Sequence, residues 1–132
     1  RVMALKKTSL SAGAVIRDIL LANKEVKRRT NSVFPIVIDK AQLPYILYRR
    51  AALLHNPTKA GAPGADTVSI EVVCYTAQYA EGVELAEAVR AALDYAHGER
   101  EGVIMRGCTL VDSEEGYEDD AYVQQLVFQV KI

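Results

Sequence analysis

The sequence predicts an α+β fold. This is a two-layer sandwich, with a mostly antiparallel sheet of about four main strands and two helices on one face. Three observations point there. Thr67 to Tyr75 alternate with period two, with Val68, Ile70, Val72 and Cys74 on one side and Thr67, Ser69 and Glu71 on the other. Thr76 to Ala96 follow with helical period and abundant alanine. The remaining strand candidates are joined by turn-rich connectors, giving the order α-β-β-β-α-β-β. The chain has 132 residues, half of them hydrophobic and a quarter charged, with a net charge of −1. That size fits one domain, taken as 3–132, with a core of its own. Arg1 and Val2 are read as a remnant of expression or processing ahead of a start at Met3.

Taken in order, Ser9 or Ser11 can cap a helix running to about Ala22. Ile16, Ile19, Leu20, Asn23 and Val26 recur along its stripe. Lys27 to Ser32 reads as a polar connector. Val33 to Ile38 is apolar but holds Pro35, which removes a ladder donor and predicts an edge strand or extended arm. Tyr45 to Leu54 reads as a strand, and His55 to Asp66, with two prolines and two glycines, as a long mobile loop. In the main helix Val83, Ala86, Val89 and Leu93 are expected to face inward, with Gly98 ending it. Val103 to Val111 is a strand in which a bulge near Arg106-Gly107 would bring Val103, Met105, Cys108 and Leu110 to one face. Asp112 to Asp120 reads as an acidic turn. Ala121 to Ile132 is the last strand, with Tyr122, Leu126, Phe128, Val130 and Ile132 inward.

Little in the chain points to catalysis, a cofactor or a metal. His55 and His97 are isolated, and a histidine at a helix C-terminus is favoured by the dipole alone. Cys74 has the parity of a core residue, expected buried and unpaired, and two cysteines make no disulfide scaffold. The stretch from Asp112 resembles a calcium loop only at its start, because Val123 stands where the bidentate Glu belongs. The loop from His55 lacks the Gly-Lys-Ser/Thr that would open a helix under a phosphate. No apolar run is long enough to cross a bilayer and no secretory signal is visible, so a soluble intracellular domain is expected.

Charge is segregated along the chain. Residues 1–60 carry +9 and residues 61–132 carry −10. The halves can neutralise each other within one molecule, or basic and acidic faces of neighbouring copies can meet. A heterologous contact of the second kind closes a ring when repeated by rotation. The residues expected to make it are Arg28, Arg29, Arg49, Arg50 and Lys59 on one side and Glu114, Glu115, Glu118 and Asp119 on the other. A small ligand-binding domain or enzyme is the alternative. A nucleic-acid module using Lys24, Lys27, Arg28, Arg29, Arg49 and Arg50 is a third reading.

Phe34-Pro35, the run Leu43 to Arg50, the Pro/Gly loop, Thr67 to Val72, Tyr79 to Arg90 and the ending from Tyr117 to Gln124 together resemble the tail completion proteins of long-tailed bacteriophages and prophages. The resemblance spans about Ser9 to Ile132. It implies a non-enzymatic α+β virion protein at the head–tail joint, without cofactors or a membrane. It also implies a homo-oligomeric ring, commonly of six subunits, that meets tail-tube and head-completion proteins and lets DNA pass through its lumen. Before assembly such a protein resides in the host cytoplasm.

Overall fold

The computed structural model describes residues 5–36, 41–56 and 65–132. Most of the expected loop from His55 to Asp66 therefore lies outside the described residues, as do positions 37 and 38 of the first expected strand.

The chain enters through a 3-10 turn at Ser9–Ser11, whose Leu10 N–H is accepted by the Thr8 hydroxyl. Helix α1 (Ala12–Ala22) buries Ala12, Val15, Ile16 and Leu20. Asn23 is extended, and its side-chain oxygen accepts the N–H groups of Glu25 and Val26 at 3.0 and 3.1 Å. It thereby caps a second helix, α2 (Lys24–Arg29), which keeps Val26 in the core. Lys27, Arg28 and Arg29 close this helix rather than forming part of a connector. Basic side chains suit that end, where the carbonyls lack partners.

Four long strands form the sheet: β2 (Tyr45–Asn56), β3 (Ala65–Thr76), β6 (Gly107–Glu118) and β7 (Ala121–Lys131). The order is β1-β2-β3-β7-β6, and all neighbours are antiparallel except β1 (Val33–Pro35), which pairs parallel with Ile46–Tyr48 at the edge. Pro35 sits at that edge, as its missing N–H requires. The α+β sandwich is thus present, with the first expected helix divided in two.

Helix α3 (Tyr79–Leu93) follows β3 and buries Gly82, Leu85, Ala88, Val89 and Leu93. The expected inward face is partly corrected: Val83 is 37% exposed while Leu85 is 1% exposed. A Cβ on Gly82 would lie 2.8 Å from the Thr76 hydroxyl oxygen, so the helix backbone sits hard against the end of β3. That contact rolls Leu85 inward and Val83 outward.

Gly98 opens a strand rather than ending the helix. Strands β4 (Gly98–Arg100) and β5 (Val103–Met105) make a separate hairpin against α1, where a Cβ on Gly98 would meet Val15 at 2.8 Å. Asp18 Oδ1 and Oδ2 accept Arg100 Nη1 at 2.7 and 2.9 Å and hold it there. The expected strand 103–111 is therefore two strands in two sheets. Val103, Met105 and Cys108 are buried and Leu110 packs on the core, but the shift in parity comes from the break at Arg106. The bulge of β6 lies further on, between Leu110 and Asp112.

Residues 112–118 are not a turn. They continue β6, and only Asp119 and Asp120 turn, both at positive φ (50° and 61°), as a two-residue type I′ hairpin requires. On β7, Leu126, Phe128 and Val130 are buried as expected, and so is Gln124.

Cys74 and Cys108 are both free and buried, and burial pushes each thiol up to about 12. Cys74 stands opposite Gln124 and Cys108 opposite Val130. Six residues along a strand is about 20 Å, too far for a disulfide.

Two outcomes check this packing. Leu85→Ala should cost about 2–5 kcal/mol in denaturant unfolding, whereas Val83→Ala should cost under about 1 kcal/mol. A larger loss at Val83 than at Leu85 would mean α3 is rolled as its sequence alone implies. Cys74 should stay unlabelled by a thiol reagent in the native protein and react on unfolding; rapid native labelling would contradict its burial.

Candidate interaction surface

All three helices lie on one face of the sheet, and no described helix covers the other. Register places Leu47 and Arg49 of β2, Glu71, Val73 and Tyr75 of β3, Val123 and Gln125 of β7, and Glu114 and Glu118 of β6 on or along it. They line a shallow groove of about 450 Å³. Arg49 Nη2 donates to Glu71 Oε2 at 2.6 Å, and Gln125 donates to the other oxygen of the same carboxylate. Tyr45 and Tyr75 stack across it with ring centroids 4.8 Å apart. Burial, and then the nearby carboxylates Glu118 and Asp119, raise both phenols above their ordinary range.

The expected interaction residues do not form one cluster. Arg28 and Arg29 both reach Glu25 of their own helix, at 2.9 and 3.1 Å. They flank a smaller groove that also holds Glu81 and Glu84 of α3. Arg49 is paired with Glu71, and Arg50 donates to the Leu10 carbonyl at 2.8 Å. Lys59 lies outside the described residues. Glu115 points to the helix side, where it accepts Tyr79 Oη at 3.0 Å and Gln124 Nε2 at 2.8 Å. Those two donors hold its carboxyl below the usual carboxylate range. Among the described residues Arg50, Glu114, Glu118 and Asp119 have no ion-pair partner.

The sequence reading missed Glu25 and Glu71, the groups that engage three of the expected arginines, and Gln125, which donates to Glu71. Glu71 was on the polar side of its strand by alternation. Only the register of β2 on β3 puts Arg49 beside it.

A further cluster joins the chain's two halves at the root of the β2–β3 hairpin. Asp66 accepts from Ser9, lies 2.6 Å from His55 Nδ1, and pairs through its backbone with Ile132. The Ser9 and His55 contacts hold its carboxyl below the ordinary range. Ser9 and His55 are each bonded to the carboxylate, and no hydrogen bond joins the serine to the imidazole, so the nucleophile–histidine pair of a serine hydrolase is not formed here.

No helix of the described residues is long and apolar enough to cross a membrane, and among those residues no three His, Cys, Asp or Glu side chains gather to hold a metal ion. The surface instead offers a charged, tyrosine-bearing sheet face and two strand edges, which are means of protein–protein contact.

Comparison with known families gives the class, a virion structural protein of a phage. The sequence profile of the family described as tail completion protein gp17 matches residues 14–132, and the chain belongs to that family. Among solved structures it is similar to a chain of the virion of a native gene transfer agent particle. The TM-score is 0.73 and the identity 20%, with 91% of this chain and 95% of that chain covered. That likeness shows the same fold. No curated protein matches the chain.

The Asp66 cluster gives a pH dependence. Its pairing favours the ionised carboxylate in the folded chain, so its stabilisation is complete above the unfolded carboxyl's value of about 3.9. It is lost as pH falls through the lower folded value. Melting temperatures of the parent and Asp66→Asn should differ near neutral pH and converge toward pH 2. A constant difference across that range would mean the carboxylate's charge plays no part.

Proposed function

We propose that the protein is a non-enzymatic ring subunit at the head–tail joint, completing the tail and docking the head. The match to the tail completion family over residues 14–132 carries this reading. The partners are further copies of itself, six being the number the family resemblance implies, together with tail-tube and head-completion proteins. DNA meets the ring only in passing through its lumen. Before assembly the subunit resides in the host cytoplasm.

The charge split of +9 and −10 supports contact between unlike faces of neighbouring copies. Within one molecule it is neutralised only in part, since Glu114, Glu118 and Asp119 keep no cationic partner among the described residues. Each exposed pair is worth only about 0–1 kcal/mol, so association rests on several pairs and weakens with salt.

Native mass spectrometry across a salt series tests this. Rings should dominate at low salt and decline as salt rises. Reversal of Arg49 and Arg50 to Glu should abolish them, and adding Glu118→Lys with Asp119→Lys should restore part. A protein that stays monomeric at high concentration and low salt would end the ring reading. In the virus, loss of the protein should leave heads and tails unjoined.

A further inference from the structure

We infer that neighbouring copies join sheet edge to sheet edge, the outer edge of β6 over Asp112–Glu118 in one copy adding to the outer edge of β2 over Arg50–His55 in the next. This rests on the self-assembly proposed above and specifies its contact.

Strand β6 ends the sheet, and no described strand lies beyond it. Its first half is covered. Tyr95 N–H donates to the Cys108 carbonyl at 2.6 Å, and Asp94 Oδ1 accepts the Leu110 N–H at 3.0 Å. Past the bulge that cover stops. Every residue from Val111 to Asp120 is exposed. At the other side of the sheet β1 covers β2 only over Ile46–Tyr48, and Ile36 N–H adds one bond to the Tyr48 carbonyl. From Arg49 onward no described strand pairs there. Arg49 to Ala52, Leu54 and His55 are exposed.

Among the described residues each edge is therefore capped over one half and open over the other, and the open halves lie toward opposite ends of the sheet. An open strand edge presents unpaired N–H and C=O groups that another strand can complete. Like edges are opposed by charge. Two β6 edges would set Asp112, Glu114, Glu115 and Glu118 against their own kind, whereas β2 carries Arg49 and Arg50 and no acidic residue.

Strand direction agrees. Along β2-β3-β7-β6 the directions alternate, so a rotated copy sets its β2 antiparallel to the preceding β6. Centring the open halves on Glu115 and Leu53, with Ala51 left in its bulge, brings Arg49 abreast of Glu118 on the helix-free face and His55 abreast of Ser113, beside Asp112. The join is offset along the strands by roughly half a strand length, the kind of stagger that a sheet closing on itself requires. A second copy is the occupant because one sheet supplies both complementary edges.

Disulfide trapping tests the contact. Gly116→Cys places a thiol on β6 where a Cβ meets nothing within 4 Å. It is combined in turn with Ala51→Cys, Ala52→Cys and Leu54→Cys. Within one molecule the two thiols lie on opposite edges, three strand spacings or about 14 Å apart before the offset, so any disulfide between them is intermolecular. Ring mass is first measured by native mass spectrometry, and the protein is then oxidised with oxidised glutathione. At least one pair should give a ladder of covalent oligomers up to the ring, and Gly116→Cys alone should stay monomeric in denaturant. Rings of normal mass that trap with none of the three overturn the edge contact while leaving the ring. Covalent dimers from Gly116→Cys alone also overturn it, since β6 would then meet β6. If no ring assembles before oxidation, the edge contact falls together with the reading beneath it.

Discussion

The structure depends on the pairing of β3 with β7. Ten residue pairs, from Thr67–Lys131 to Thr76–Tyr122, run without a register shift. On one side of this ribbon Val68, Ile70, Val72 and Cys74 lie beside Leu126, Phe128 and Val130, and all seven are buried. They make the floor on which α1, α2 and α3 rest. Truncating a side chain such as Phe128 in a floor of this kind costs about 3–5 kcal/mol, so the helices are held by burial rather than by their own propensity. Because every helix goes to this floor, the opposite face stays open, and the strands flanking the ribbon become the edges.

Both flanking strands bulge at the same level. Ile70 of β3 faces Phe128 of β7, Arg50 pairs with Ile70, and Leu110 pairs with Phe128. The extra residues Ala51 and Val111 follow directly on either side. A bulge reverses which face the following residues take. Beyond Val111 it sends Asp112, Glu114 and Glu118 to the helix-free face and Glu115 toward the helices, where Tyr79 and Gln124 bind it. One inserted residue thus decides which carboxylates face away from the helices.

Much of the fold was legible because its period was clean. The alternation from Val68 to Cys74 gave the buried face of β3, and Pro35 marked an edge. What was not legible depended on contacts between distant residues. Val83 and Ala86 fit a helical stripe as well as Leu85 does, and only the approach of Gly82 to Thr76 decides between them. The carboxylates of 112–118 look like a solvated turn in composition. They form a strand because β7 supplies the partner, and only the two residues at positive φ turn. For the interaction surface, charge type was visible in the sequence and pairing was not. Arg28 and Arg29 lie on one helix face with Glu25 at the i−3 and i−4 spacing, a local pattern that was available but was read as connector.

Charge completes the account. Folding draws Arg49 to Glu71 and His55 toward Asp66, each pair joining the basic half of the chain to the acidic half. The ion pair of Arg100 with Asp18 joins them in the opposite sense. These contacts gather near the core and the hairpin root. Glu114, Glu118 and Asp119 are left on the exposed end of β6 and its turn. A cluster of like charges there adds self-repulsion, and no cation of the described residues offsets it. On an open strand edge the same repulsion has a use. It disfavours indiscriminate pairing with like edges and leaves the strand available to a cationic one. The arginines of β2 stand on the one long strand whose outer edge is also open. The edge contact proposed above would give these opposed charges a role that packing within the monomer does not.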